Sequence, residues 1–288
     1  MKLRRLIVNG DDFGISREVN EAVILAFRCG VLTSTSLMAS GAAFDHAVAL
    51  AKENPGLAVG LHVTCVNGRP VLPASRIPHV AEKSGDFPAD PALAGLKYFF
   101  CPRARKELGE EIEAQFEKFA RTGLTFSHVD SHCHMHVNPA VLDAILHAAE
   151  SYGIRRIRVP ADDFFSALDF LQKPVGAAGY ALVFKLLTRR MRRIVSNRGF
   201  VFPQTVYGNL LTGAMSLEYV LSLLSRLPGG TSELYFHPAL PCRTEGEVDA
   251  TRLQRLREFS ILIQPQVRST IVRLGIALAT YSDLEKDL

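Results

Sequence analysis

Short apolar runs alternate with amphipathic segments along this chain, and most of the runs end on a residue that can do chemistry. Residues 3–8 form the first run and lead into Asn9-Gly10-Asp11-Asp12-Phe13-Gly14. Residues 32–38 form the second, 57–64 the third with His62 near its end, and 125–130 the fourth, ending on Asp130. Residues 154–160 carry Arg158, 232–236 run into His237-Pro238, and 276–281 form a last, closing run. Such runs predict strands, and the segments between them, apolar at every third or fourth position, predict helices. About seven strands alternating with helices imply a parallel sheet. In a single domain spanning 1–288, that means an α/β fold: a seven-stranded, irregular β/α barrel with its active site at the strand C-terminal face.

Helix boundaries are legible at several points. Ser16 is placed to cap a helix whose apolar face is Val19, Val23, Ala26 and Phe27, with Gly30 as its C′ stop. Asn138-Pro139 and Ser216 open two further helices. Residues 66–102 are rich in Pro and Gly and read as a long loop with short helical pieces, and its aromatic residues argue against disorder. Residues 174–198 read as an insertion that starts apolar and ends basic, at Lys185, Arg189, Arg190, Arg192, Arg193 and Arg198. Such a helix either packs in the core with a solvated end or rests on an anionic membrane surface.

Composition removes several classes. A net charge of +4 is too mild to argue for nucleic acid as a partner. The cysteines are odd in number, widely spaced and without a C-x-x-C, which argues against a disulfide framework and a Cys-based zinc site. The basic N-terminus precedes too short an apolar run for a signal peptide, and no run is long enough to span a membrane. A cytoplasmic location is expected.

Four of the nine histidines fall within 128–136, beside Asp130. His128, Asp130, His132, His134 and His136 all take even numbers, so a strand would point them one way. A strand of that length is too long for all of them to reach one ion, so a strand running out into a loop is expected. A lone His62 is ordinarily a core residue, and one Asp would suffice to cap a turn at Asp11-Asp12. The position of Asp11, Asp12, His62, Asp130, His132, Arg158 and His237 at strand ends argues for a shared site instead. One carboxylate with two imidazoles is a ligand set for one divalent metal ion. Zn is favoured by the nitrogen donors, with Co, Ni, Mn and Mg as alternatives. Such an ion acidifies bound water, a second Asp can serve as base, and a His can protonate the leaving group.

The motifs Asp11-Asp12-Phe13-Gly14, Gly60-Leu61-His62, 130–136 and Phe236-His237-Pro238 resemble those of the YdjC-like carbohydrate deacetylases, in order and spacing. Within them the chain most resembles the hopanoid-associated HpnK branch, through 68–73, 98–102, 113–117 and 233–238, although Asp130-Ser131 stands where that branch more often has Asn-Ala. The resemblance implies a metal-dependent hydrolase that removes acetyl from an N-acetylated amino sugar, by attack of metal-bound water. It implies Asp12, His62 and His132 as metal ligands, Asp11 as base, Arg158 as its orienting partner and His237 as general acid. Asp130, His134 and His136 fall to substrate binding or to support of the ligands. The branch implies an N-acetylglucosaminyl-hopanoid, and with it peripheral contact at the inner membrane face. The rival readings are a deacetylase of soluble chito-oligosaccharides, a metal-dependent isomerase or phosphoesterase, and a non-catalytic lipid- or sugar-binding module. The sequence leaves open the oligomeric state, a homodimer among the options.

Overall fold

A computed structural model describes residues 3–162, 167–170, 174–241 and 250–287. Cys242 lies outside the described residues. The sheet is built from β1 (Arg4–Phe13), β2 (Ser34–Leu37), β3 (Ala58–Val63), β4 (Val129–Ser131), β5 (Thr205–Tyr207), β6 (Gly230–Phe236) and β7 (Ala277–Ala279). It is seven-stranded, in the order β4-β3-β2-β1-β6-β5, with β7 against β1. Every pairing is parallel. Around it lie α1 (Arg17–Cys29), α2 (Phe44–Glu53), α3 (Pro91–Phe100), α4 (Pro102–Ala120) and α5 (Pro139–Ser151). The second half adds α6 (Pro174–Asn197), α7 (Leu217–Arg226), α8 (Ala250–Leu262) and α9 (Pro265–Arg273). This is the expected irregular α/β barrel, curled rather than regular.

Short backbone bridges complete the curl. The expected strand over 154–160 is reduced to them: Val129 pairs with Ile157, and Arg156 pairs with Val201. Arg158 N–H donates to Val129 O at 3.0 Å, and Ile157 N–H donates to Val201 O at 3.1 Å. These bonds carry the ring from β4 round towards β5. The expected closing strand at the C-terminus does not close it, because β7 pairs with the first half of β1 alone. The short strand β5 has no counterpart in the sequence reading, being only three residues long.

The helices start where the sequence places their caps. Ser16 Oγ accepts from Val19 N–H, Asn138 accepts from Ala140 and Val141 N–H, and Ser216 accepts from Tyr219 N–H. Gly30 differs from expectation. Its φ is −110°, not left-handed, and glycine is required there because a Cβ would sit 2.4 Å from Leu262 O. One continuous apolar core, including Leu6, Val8, Leu61, Val129, Phe116 and Phe119, fixes the sheet against its helices. The 66–102 segment is partly ordered by this core, through buried Ile77, Phe87 and Tyr98, and ends in α3.

Candidate active site

β1 is longer than its apolar run suggests. It continues through Asn9, Gly10, Asp11 and Asp12 to Phe13, so the paired acids lie within the strand and not beyond it. Its register against β2 shifts between Gly10 and Phe13, a bulge that turns Asp12 to a φ of +65°. Asn67, Cys133 and His134 are the other non-glycine residues with positive φ among those described. Cys133 and His134 follow β4 in the short 3₁₀ segment His132–Val137, and the Asn67 side chain hydrogen-bonds Cys133. Each such residue costs on the order of 1–3 kcal/mol, and their convergence marks a place where backbone shape is held for a purpose.

Asp12, His62 and His132 come together there, one donor atom from each lying within 4.8 Å of the others. His132 Nδ1 is 3.0 Å from Asp12 Oδ1, and His62 Nε2 is 3.6 Å from the same oxygen. β3 and β4 pair in a register that sets His62 opposite Asp130, so His62 Nδ1–H donates to Asp130 Oδ1 at 2.7 Å. That bond fixes the ring and leaves Nε2 directed at Asp12, the usual orientation of an imidazole that ligates a metal. The donor set therefore fits a divalent ion with nitrogen preference. Burial works against charge on His132, but the hydrogen bond and charge of Asp12 outweigh it and raise its pKa to about 10. Burial likewise opposes charge on His62, and Asp130 overcomes it, so that pKa also rises. Burial would raise the Asp12 pKa, yet His132, His237 and Arg255 hold it well below the usual carboxylate value.

Asp11 lines the same cavity as His62 and His132, with one of its oxygens within 4.8 Å of a His62 ring nitrogen. Arg158, fully buried, grips it with Nη1 on Oδ2 and Nη2 on Oδ1, both at 2.7 Å. The same guanidinium pairs with Asp130 Oδ2 at 2.7 Å and with Glu233 Oε1 at 2.6 Å. Asn9 Nδ2 donates to Asp11 Oδ1 at 2.7 Å and to Ser36 Oγ at 2.9 Å, and Ser36 in turn donates to Asp130 Oδ2. Glu233 accepts from Tyr281 OH.

The remaining candidates separate. His237 follows β6, lines the cavity, and is steadied by Glu258, which accepts from its backbone N–H and lies 3.9 Å from its Nδ1. His134 also lines the cavity, with Nε2 2.9 Å from Tyr235 OH and Nδ1 buried without a partner. His136 is fully buried, receives the Ser131 hydroxyl proton at Nδ1 and donates from Nε2 to Arg158 O at 3.1 Å, so it supports the arginine. His128 is structural: it stacks on Tyr281 at 3.8 Å and touches Ser36.

Sequence reasoning missed Glu233, Asn9, Ser36 and Arg255. A glutamate in the middle of the buried strand β6 was a readable signal, since an unpaired charge there is untenable. Arg255, whose Nη2 donates to Asp12 Oδ2 at 2.6 Å, gave none: it comes from α8, in a helix that looks merely solvated.

The cavity holds about 1020 Å³. Asp11, His62, His132 and His237 line it, as do Leu96 and Phe99 of α3 and Val183, Phe184 and Leu187 of α6. A curled parallel sheet with an imidazole–carboxylate cluster at its strand ends places the molecule among β/α-barrel proteins built to bring polar groups from distant sequence onto one face. More narrowly, the chain belongs to the YdjC-like protein family, whose profile matches residues 5–273. It is 33% identical to a carbohydrate deacetylase of Geobacillus stearothermophilus, over 98% of this chain and 99% of that one. It is 28% identical to a chitooligosaccharide deacetylase of Serratia marcescens, over 97% and 98%. A crystal structure from Enterococcus faecalis V583, provisionally described as a cellobiose-phosphate cleavage protein, superposes with a TM-score of 0.77. It is 26% identical and covers 98% of this chain and 99% of its own.

Proposed function

We propose that this protein is a carbohydrate N-deacetylase, hydrolysing the acetamide of an amino sugar to acetate and a free amine. The observation that carries the reading is Asp11 beside the Asp12–His62–His132 cluster, with Asp11, His62 and His132 lining one cavity. Relatives named as carbohydrate and chitooligosaccharide deacetylases along the whole chain support it.

Asp12, His62 and His132 would hold one divalent ion, zinc by preference of the donors, and the ion supplies an electrophilic centre and an acidified water. Asp11 takes the proton of the attacking water. Arg158 and Asn9 occupy three of its lone-pair directions, so the carboxylate keeps a set orientation with one lone pair on Oδ2 open. Asp130 keeps His62 in one tautomer. His237, which lines the same cavity, would protonate the departing nitrogen, and His134 would meet the sugar.

The substrate we favour is an acetylated amino sugar on a bulky apolar carrier, an N-acetylglucosaminyl-hopanoid as in the HpnK branch, met by a cytoplasmic enzyme at the inner membrane face. What favours it over soluble oligosaccharide is the share of the lining supplied by Leu96, Phe99, Val183, Phe184 and Leu187, against which the hydroxyls of a sugar chain would find no hydrogen-bond partners. No helix among the described residues is long and apolar enough to cross a membrane. Mass spectrometry of N-acetylglucosaminyl-hopanoid and of chito-oligosaccharide, each incubated with the zinc-loaded protein, tests both levels. Loss of one acetyl from the lipid alone confirms the full reading. Loss from the oligosaccharide alone leaves the deacetylase and removes the lipid, and loss from neither ends both.

A further inference from the structure

The cavity mouth is bordered by apolar side chains that stay exposed among the described residues. On α3, Leu93 is 64% exposed and Phe100 72%, and Leu96 lies between them on the same stripe. On α6, Leu182 is 60% exposed and Leu186 62%. Leu96, Phe99 and Val183 are both exposed and part of the cavity lining, so the two stripes meet at its opening. On α6 the cavity-lining residues Val183, Leu187 and Arg190 follow helical spacing, and so do Leu182, Leu186, Arg189 and Arg193 about a quarter turn away. The second stripe is therefore a separate outward face, one that changes along its length from apolar to cationic.

Charge decides what fits this face. Lys185, Arg189 and Arg193 are exposed, and their charged ends have no ion pair or hydrogen bond among the described residues. Arg103 and Lys106, exposed at the start of α4, follow Phe100 in the same manner. No acid occurs in 91–106 or 174–197. A protein partner or a second copy would cover large apolar residues, but a second copy would oppose these cations with its own. An anionic lipid surface accepts both parts: aliphatic and aromatic tips at the acyl boundary, cations among the headgroups.

We propose that the exposed stripes of α3 and α6 form a docking face for an anionic bilayer. Docked this way, the cavity opens into the lipid interface, and a lipid-borne substrate reaches Asp11 and His132 without its apolar part crossing water. The link to substrate rests on the lipid-linked reading above, whereas the docking itself does not.

The test is co-sedimentation of the full chain with phosphatidylcholine vesicles, with and without phosphatidylglycerol, alongside deacetylation of a soluble chito-oligosaccharide. The wild type sediments with anionic vesicles and is released by salt. Arg189→Gln with Arg193→Gln weakens the partition about 30-fold, from the usual worth of two cations at such a surface. Leu186→Asp with Phe100→Asp abolishes it, while thermal midpoint and turnover of soluble sugar stay at wild-type values. If the apolar pair fails to fold, the charge pair still decides. The proposal is overturned if the wild type stays in solution with anionic vesicles, or if the charge pair partitions as the wild type does. It is also overturned if the wild type is a dimer that Leu186→Asp dissociates. Vesicle binding with no acetate from any amino sugar would keep the docking face and end the deacetylase reading.

Discussion

Arg158 holds Asp11 in a two-pronged grip, Nη1 to Oδ2 and Nη2 to Oδ1, each 2.7 Å, with neither residue open to solvent beyond a trace. The fork is planar and also reaches Asp130 and Glu233, so one cation is shared by three buried carboxyl groups drawn from β1, β4 and β6. Arg158→Met would leave those buried carboxyl groups without their shared cation, and about 3–5 kcal/mol of stability should be lost. Arg158→Lys keeps the charge but not the fork, and should fold while losing turnover. Urea unfolding and acetate release distinguish the two; equal stability of the Met variant and wild type would contradict the assignment.

Asp11→Asn tests the base. Asparagine keeps the size and can still accept from Arg158, so the fold and the Asp12–His62–His132 donors should persist. Turnover should fall about 10²–10⁴-fold, the usual contribution of a positioned general base. Bound metal per chain and acetate release are the two measurements, and wild-type turnover would remove Asp11 from the mechanism.

His132→Ala should abolish high-affinity divalent metal binding. In the metal-free protein Asp12 raises the His132 pKa to about 10, so at neutral pH an ion must displace that proton. Apparent affinity should therefore climb with pH, about tenfold per unit for one displaced proton. Competition titrations with a chromophoric chelator between pH 6 and 9 would show this slope. A flat profile would mean that the ion does not take His132.

Much of the site was legible because barrel strands deliver their C-terminal residues to one face, and the sequence marks those residues by placing charge where apolar runs end. Asp11, Asp12, His62, His132, Arg158 and His237 could all be found this way. What the linear pattern could not show is which neighbours satisfy them. The Asp130–His62 bond depends on the register of β3 against β4, and the role of His136 depends on a carbonyl on a different segment. The extent of β1 was misjudged because Asp and Asn are poor strand formers, and here a buried arginine compensates their burial. Closure of the ring by bridges at 156–158 and 201 was invisible, since such short pairings carry no periodicity.

Gly60 is where the fold depends on the absence of a side chain. A Cβ there would lie 2.4 Å from the His128 ring, which is itself sandwiched against Tyr281. Gly60→Ala should cost about 1–3 kcal/mol by overpacking, and it should do so without touching a proposed ligand. Thermal unfolding of the metal-free protein reads this directly, and an unchanged midpoint would show that the His128–Tyr281 stack gives way freely.

Acid should unfold this protein through its buried neutral histidines. Burial lowers the His128 pKa to about 3 and the His136 pKa to about 4, and holds His134 well below its ordinary value. In the unfolded chain each titrates near about 6.5. Between pH 6.5 and 4, unfolding therefore takes up protons that the folded state refuses, and stability falls as pH falls. His62 and His132 do not oppose this. Their folded pKa values are raised, so below about 6.5 they carry protons in both states, and their contribution is lost only at higher pH, for His132 as pH rises toward 10. Each depressed histidine should add about 1.4 kcal/mol per pH unit to the acid slope while only the unfolded form is protonated. His128→Asn removes one such group, so the slope measured from urea midpoints between pH 6 and 4 should drop by about that amount. An unaltered slope would mean that His128 is already charged in the folded protein, which its stacking between Gly60 and Tyr281 argues against.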